Sequence, residues 1–152
     1  MNQTISEFLP QVIAIMQSEG VPLRDPASAE EISLFECRWN VSLPDDIRQF
    51  YAAMDGTGKD AQLTDDLFRI WPLSAVMPIP DLFPGPNHND YRDITDASRF
   101  LCFADYMIDS DVFALHADES GTVITVCSGH RPVAASFTDF IAKFLFDRYS
   151  LL

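Results

Sequence analysis

Lysines, glycines, cysteines and long apolar runs are all scarce in this sequence, and each shortage excludes a class of protein. Only two of the ten basic residues are lysines, against 23 acidic residues, and the net charge of −13 opposes binding to nucleic acid or to an anionic membrane. No apolar run reaches the roughly 18 residues that a membrane-spanning helix needs. The first residues, Met-Asn-Gln-Thr-Ile-Ser-Glu, lack the basic segment of a signal peptide, so we expect a cytoplasmic protein.

Cysteine is present three times, at Cys37, Cys102 and Cys127, so the thiols cannot all pair within the chain. Each cysteine lies in an apolar stretch, which favours free, buried thiols in a reducing compartment over a disulfide framework. A cysteine nucleophile needs a histidine partner and a site that stabilises the thiolate, and the sequence indicates neither. We therefore expect these side chains to pack in the core.

The sequence contains no complete motif for catalysis or for metal binding. Ser128 and His130 share a polar turn, but the Gly-x-Ser-x-Gly pattern of a serine nucleophile is missing. Histidine and aspartate occur together at 88–90 and 116–118, yet no zinc or calcium motif surrounds them. The six glycines do not form a phosphate-binding loop. We expect no enzyme, no cofactor and no metal, and keep a metal-dependent enzyme as the third of three hypotheses.

The length of 152 residues and the 47% of apolar residues predict one globular domain over residues 1–152, large enough for a core without disulfides. Apolar residues recur at helical spacing after four typical start signals. The predicted helices begin near Thr4, Ser28, Leu43 and Ser136. Thr4-x-x-Glu7 and Ser28-x-x-Glu31 are capping-box patterns, and Gly56 is placed to end the third helix.

Short apolar runs separated by turns predict strands after residue 66. The runs cover residues 67–71, 99–103, 111–116 and 122–127. A further short strand begins at Val133. Five of the ten prolines lie within residues 72–86, so we expect a long irregular excursion over residues 72–98. The turns are too short for parallel crossovers. The predicted fold is therefore α+β, with a central, mostly antiparallel sheet and helices from both ends of the chain packed around it.

The acidic residues are the most informative feature of the sequence. They concentrate in two segments, 104–120 and 55–66, where bases are nearly absent. Aspartate is common in turns for local reasons, since it bonds its own backbone, but an imbalance over the whole chain costs stability through self-repulsion. We therefore expect a basic protein partner and predict its contacts at Asp105, Asp109, Asp111, Asp118 and Glu119, with Asp65 and Asp66 as a second patch.

The stretch from Ser28 to Gly56 resembles the signature of the SUKH superfamily, the proteins similar to the yeast Smi/Knr cell-wall assembly regulator. The similar features are a Phe35-Glu36 pair on an acidic helix, a Leu-Pro-acid-acid turn at residues 43–46, a helix with aromatic residues and a closing Asp-Gly. Residues 100–105 are similar to the central strand of that family, and residues 133–141 to its last helix. The resemblance spans about residues 28–146.

This resemblance implies an α+β fold with an antiparallel sheet and no common catalytic residues. In bacteria it implies an immunity protein that binds and neutralises a toxin domain, often a nuclease, whose basic groove an acidic protein can occupy. The alternative that it implies is a regulatory or scaffolding module that binds a cellular partner. In that case the contact surface would be the Pro-rich segment 78–98, with Phe83, His88 and Tyr91.

Overall fold

The computed structural model describes residues 3–57, 64–84, 94–117, 121–127 and 129–152. The helices are α1 (Ile5–Ser18), α2 (Ala29–Trp39), α3 (Asp45–Ala53), α4 (Ile79–Leu82) and α5 (Phe137–Phe146). The strands are β1 (Phe68–Ile70), β2 (Met77–Pro78), β3 (Phe100–Tyr106), β4 (Asp111–His116), β5 (Val123–Thr125) and β6 (Pro132–Ala134). Short 3-10 turns cover Leu73–Ala75, Ala97–Arg99 and Arg148–Leu151.

The six strands form one sheet in which every described pair is antiparallel. The strand order is β1-β3-β4-β5-β6, and β2 pairs with β3 further along the same edge as β1. The predicted α+β fold with an antiparallel sheet between helices from both ends of the chain is confirmed. β3 runs to Tyr106 rather than ending at Phe103, with a register shift between Cys102 and Ala104. This longer strand carries Asp105 into the sheet.

The apolar side chains of α1, α3 and α5 form one core cluster with those on one face of the sheet. Apolar side chains at alternate positions of β3 and β4 point to this face, as expected for a strand period of two. Phe103 and Phe113 both meet the Phe140 ring of α5, with ring centres 5.0 and 5.3 Å apart. The Phe137 ring of α5 lies 5.1 Å from that of Phe50 in α3. This aromatic cluster joins the last helix to the third helix and the sheet.

The other face of the sheet is covered by parts of the Pro-rich segment. Its core residues are Trp71, Ile79, Phe100, Cys102, Val112, Ala114, Ile124 and Val126. Leu82, Phe83, Ile94 and Ala97 pack against them. The expectation of an irregular excursion over 72–98 is therefore wrong for its described parts, which hold β2, α4 and two 3-10 turns. These parts bury the second face, which would otherwise expose its apolar side chains.

Two of the predicted helix caps form, and one does not. The Ser28 and Ser136 hydroxyls accept hydrogen bonds from the backbone N–H of Glu31 (3.1 Å) and Asp139 (3.0 Å). The Thr4 hydroxyl instead lies 2.9 Å from the Ser6 hydroxyl and accepts no backbone N–H. The α1 helix still begins at Ile5, because its buried apolar stripe packs against α3 and α5.

The residues that carry the family resemblance tie the helices together. The Glu36 carboxylate accepts hydrogen bonds from the Leu43 backbone N–H (2.7 Å) and from Arg48 (2.8 Å), which fixes the turn between α2 and α3. The Asp46 carboxylate accepts from both the backbone N–H and the hydroxyl of Thr138, each at 2.9 Å. The start of α3 is thereby fixed to the start of α5. The signature thus has a structural role.

None of the three cysteines, all within the described ranges, forms a disulfide, as predicted, but only Cys102 is buried. Cys37 lies on the exposed side of α2, and Cys127 lies just beyond the end of β5. The prediction that these two pack in the core is wrong. An apolar neighbourhood in sequence does not show which side of an element faces solvent.

Candidate functional site

The pairing of β1 with β3 brings two acidic segments together at one end of the sheet. Phe68 pairs with Tyr106, and the Met107 backbone N–H donates a hydrogen bond to the Leu67 carbonyl oxygen at 3.0 Å. The turn before β1 therefore lies against the hairpin turn between β3 and β4. We call this surface the acidic end and define it by its exposed residues Asp65, Asp66, Leu67, Met107, Ile108, Asp109, Tyr149 and Leu152.

Large apolar side chains are exposed at the acidic end to an unusual degree. Exposed fractions reach 47% for Met107, 65% for Ile108 and 78% for Tyr149, and Leu67 and Leu152 are also exposed. These five make up most of the large apolar side chains exposed in the described ranges. A cavity of about 170 Å³ opens beside three of them, Leu67, Tyr149 and Leu152. Its other lining residues are Asp65, Asp66, Phe68, Tyr106 and Arg148. Concentrated apolar surface beside carboxylates is typical of a protein-binding site.

Arg148 holds the C-terminal segment against this surface. Its guanidinium contacts both carboxylate oxygens of Glu19 at 3.3 Å and the Asp66 carboxylate at 3.1 Å. The Glu19 carboxylate also accepts a hydrogen bond from the Asp65 backbone N–H at 2.9 Å. The Asp66 charge is thus partly compensated. The side chains of Asp65 and Asp109 form no ion pair with any residue that the structure describes, so their charges face solvent.

The hairpin turn between β3 and β4 has a strained backbone. Met107, Ile108 and Asp109 all have left-handed conformations, with φ of 51°, 51° and 63°. This region costs roughly 1–2 kcal/mol per non-glycine residue, and it is rarest for β-branched residues such as Ile108. The Ser110 hydroxyl donates to the Met107 carbonyl oxygen at 2.9 Å and closes the turn. Surrounding contacts must hold this conformation in place.

Asp105 is one of those contacts, and it is fully buried. Its carboxylate forms a two-pronged ion pair with Arg69 and accepts hydrogen bonds from the Trp71 indole N–H (3.0 Å) and the Asp109 backbone N–H (2.8 Å). The prediction that Asp105 contacts a partner is therefore corrected. Its charge is compensated inside the protein because β3 extends past residue 103 and places Asp105 opposite Arg69 in the sheet.

Asp111 requires the same correction. It is 5% exposed, and its carboxylate accepts hydrogen bonds from the backbone N–H groups of Val112 (2.9 Å) and Cys127 (3.2 Å). Asp118 and Glu119 lie outside the described residues. Ala117, next to them, follows the end of β4 that lies away from the hairpin turn. Of the predicted contacts, the structure brings Asp65, Asp66 and Asp109 together on one exposed surface.

A second concavity, of about 290 Å³, lies between α2 and the 3-10 turn Leu73–Ala75. The buried Asp55 carboxylate in its wall accepts a hydrogen bond from the Leu73 backbone N–H at 2.7 Å and lies 3.5 Å from the Arg24 side chain. At its rim, the Arg38 guanidinium lies 4.8 Å from the centre of the Trp39 ring. Asp55 thus fixes the backbone of the turn, which accounts for its burial without a catalytic role.

Metal-binding geometry is not found in the part of the chain that the structure describes. There, no three His, Cys, Asp or Glu side chains come together in a group that could hold an ion. Across the same ranges, no helix has the length and apolar character needed to cross a membrane. The acidic end therefore carries the chemistry to be explained, namely charge and apolar surface offered to another molecule.

The family of this chain follows from a comparison with protein-family profiles. The profile of the SMI1/KNR4 family (SUKH-1) matches residues 26–143. The chain belongs to the SMI1/KNR4 family. Comparison with curated proteins finds no match. Members of the SMI1/KNR4 family are generally non-enzymatic immunity or regulatory proteins, and the family suggests that the chain acts through protein–protein interaction.

Sequence reasoning missed the apolar half of the acidic end in this SMI1/KNR4 protein. The signal was present in the run Tyr106-Met-Ile-Asp109, because two large apolar residues are atypical of a hairpin turn. The prediction used only the aspartates of this run and not its two apolar residues. Tyr149 and Leu152 gave no comparable signal, since only the fold brings the end of the chain beside β1 and β3.

Proposed function

We propose that this chain is a non-enzymatic immunity protein that binds and neutralises a toxin domain through the acidic end. The observation that carries the proposal is the meeting of two acidic segments, around residues 65 and 109, on a surface with five exposed large apolar side chains. Membership in the SMI1/KNR4 family supports a protein-binding role. The partner is then a toxin domain with a basic surface, such as a nuclease.

Charge complementarity explains why the partner should be basic. Most of the described bases are committed to internal contacts: Arg24, Arg48, Arg69, Lys143 and Arg148 all form ion pairs. The surplus that gives the net charge of −13 therefore stays with carboxylates at the surface. A basic groove shaped for phosphate groups would attract such a surface over about a Debye length, which is ~8 Å at physiological salt.

One core cluster runs from Ile5 in α1 to Leu151 near the C-terminus, which supports our inference that residues 1–152 act as a single domain. Three cysteines without a disulfide support a reducing, cytoplasmic location, where an immunity protein would meet an incoming toxin. The net charge supports the inference that nucleic acid and anionic membranes are not its partners. Asp118 and Glu119 stay predicted contacts of the partner.

Association kinetics test this function. The partner is the C-terminal domain of a toxin encoded beside the gene for this chain, and the variant is Asp65→Asn with Asp109→Asn. Asparagine tolerates the left-handed conformation at residue 109, so the turn is kept while two charges are removed. We expect association to slow by roughly threefold or more at low ionic strength, with a shallower salt dependence, in stopped-flow measurements.

The matched control is Asp25→Asn with Asp81→Asn. Both residues are exposed and away from the acidic end, and this pair changes the net charge by the same amount. We expect its association rate to stay near that of the unaltered chain. Equal slowing by both pairs would show that only the net charge matters, and an unaltered chain that does not bind the toxin domain would overturn the proposed function.

A further inference from the structure

The apex of the hairpin between β3 and β4 combines two unfavourable properties. Its backbone is left-handed at Met107, Ile108 and Asp109, and its Met107 and Ile108 side chains are about half and two-thirds exposed. Glycine, asparagine or aspartate would adopt this backbone with less strain, and a polar side chain would avoid the exposed apolar surface. Neither property stabilises the isolated fold. We therefore look for the role of the apex in contact with another molecule.

Hydrogen bonds to buried and neighbouring groups hold the apex in its conformation. The Asp105 carboxylate accepts a hydrogen bond from the Asp109 backbone N–H at 2.8 Å, inside the loop that Met107 and Ile108 form. Arg69 and the Trp71 indole hold that carboxylate from the neighbouring strand, and all three side chains are buried. On its other side, the apex is anchored by the hydrogen bond between the Met107 N–H and the Leu67 carbonyl oxygen.

We propose that Met107 and Ile108 form a preorganised apolar prong that enters an apolar pocket on the partner, rimmed by basic groups. The rim follows from the carboxylates of Asp65 and Asp109, which flank the prong and face solvent. Asp105 is a positioning residue, since it touches no partner and acts through the Asp109 amide. This inference rests on the proposed function and names the recognition element of the same surface.

The charged and apolar residues of this surface should affect different rate constants of binding. Exposed charges act while the proteins approach each other, so they mainly change the association rate. A buried apolar contact acts only in the formed complex, so its loss mainly changes the dissociation rate. A prong that is already ordered in the free protein also loses little conformational entropy on binding. We therefore assign the prong and Asp105 to dissociation, and Asp65 and Asp109 to association.

The first test is Ile108→Ser, with Leu34→Ser as its matched control. Leu34 is 63% exposed on α2, close to the 65% of Ile108, and lies outside the acidic end. Using the toxin domain encoded beside the gene, we expect Ile108→Ser to dissociate about tenfold faster at an association rate within a factor of two, and Leu34→Ser to match the unaltered chain. Unchanged dissociation of Ile108→Ser from a domain that the unaltered chain binds would overturn the prong alone.

The second test separates positioning from stability. Asp105→Asn removes one charge of a buried ion pair, which costs stability. Asp105→Leu with Arg69→Met therefore replaces both charges with apolar side chains. We expect this double variant to stay folded by circular dichroism, to exchange the Asp109 amide hydrogen at least tenfold faster, and to dissociate faster from the toxin domain. A protected Asp109 amide with unchanged dissociation would overturn the positioning role. An unaltered chain without affinity for the toxin domain would instead remove the proposed function, and the prong with it.

Discussion

Gly56 shows how one residue fixes the position of β1. Its φ is +64°, and a Cβ atom added there would lie 2.6 Å from the carbonyl oxygens of both Ile70 and Trp71. Backbone atoms cannot move aside as a flexible side chain can. Gly20 has a similar φ of +71° with no atom within 4 Å of the added Cβ, so it isolates the cost of the backbone conformation from the cost of the clash.

We therefore expect Gly56→Ala to lower the free energy of unfolding by more than about 2 kcal/mol. Gly20→Ala is the control and should cost only about 1 kcal/mol, the price of the left-handed conformation. Urea unfolding followed by circular dichroism measures both. Equal losses for the two variants would show that the strands adjust around residue 56 and that the close approach does not constrain the fold.

Tyr51 makes the stability of the chain sensitive to alkaline pH. Burial, with a smaller contribution from the Asp55 charge, raises the pKa of its phenol well above the ordinary value of 10.0. Its hydroxyl donates a hydrogen bond to the Trp71 carbonyl oxygen at 2.8 Å. Below about pH 10 the phenol holds its proton in both states. Above it the unfolded chain releases the proton first, so stability falls as the pH rises.

We expect the free energy of unfolding to fall between pH 10 and 11.5, and to fall less steeply in Tyr51→Phe. At pH 8 this variant should already lose about 1 kcal/mol with its hydrogen bond. Tyr149, 78% exposed, supplies the control Tyr149→Phe, which should keep the full alkaline decline. Urea unfolding at half-unit pH steps measures the three chains, and identical pH profiles would refute the assignment to Tyr51.

At the scale of single residues, the sequence could not distinguish a buried carboxylate from an exposed one. Asp105 and Asp109 lie in the same acidic run, but a bulge and an extension of β3 bury the first beside Arg69 and leave the second in solvent. The partner of Asp105 is 36 residues away along the chain. Local turn chemistry says nothing of such a pairing, so the predicted list mixed structural and accessible aspartates.

Helix caps are the clearest test at the scale of elements, because two similar sequence signals have different outcomes. Ser136 caps α5 with its side chain, whereas the Thr4 hydroxyl does not cap α1. We expect Ser136→Ala to lower the free energy of unfolding by about 1 kcal/mol and Thr4→Ala to change it by less than about 0.5 kcal/mol. Thermal unfolding of both variants checks this, and a larger loss for Thr4→Ala would contradict the observed capping.

Elements with a clear apolar pattern in the sequence were predictable, and elements fixed only by tertiary contacts were not. The four long helices show apolar residues at helical spacing, and the strands that follow residue 99 are short apolar runs bounded by turns, and both patterns match the structure. β2 and α4 are two and four residues long and contain two prolines, Pro78 and Pro80, so no period could form. They exist because Ile79 and its neighbours bury the second face of the sheet.

At the scale of the whole molecule, the acidic end is a product of topology. Its two acidic segments are about 40 residues apart in sequence, and only the pairing of β1 with β3 joins them. Composition predicted that negative charge would matter, and the family signature predicted a binding role, but neither could place the surface. The apolar prong and Arg148, which brings Tyr149 beside Asp66, emerge only from the complete fold.

The Pro-rich segment separates the immunity function from the regulatory alternative. That alternative assigned partner contacts to residues 78–98, yet Phe83 and Ile94 pack against the second face of the sheet. Deleting the whole segment would therefore uncover the core and would not test a contact. Replacing residues 85–93 with nine glycine and serine residues keeps the chain length and leaves α4 and the following 3-10 turn in place.

We expect this replacement to keep the chain folded and to lower the free energy of unfolding by less than Ile79→Ala does, because the described core residues are untouched. Ile79→Ala, at a fully buried position, is the stability control and should cost about 2–5 kcal/mol. The replaced chain should still bind the toxin domain at the unaltered rate, since the acidic end is intact. A folded replacement that no longer binds the toxin domain would move the contact surface from the acidic end to residues 85–93.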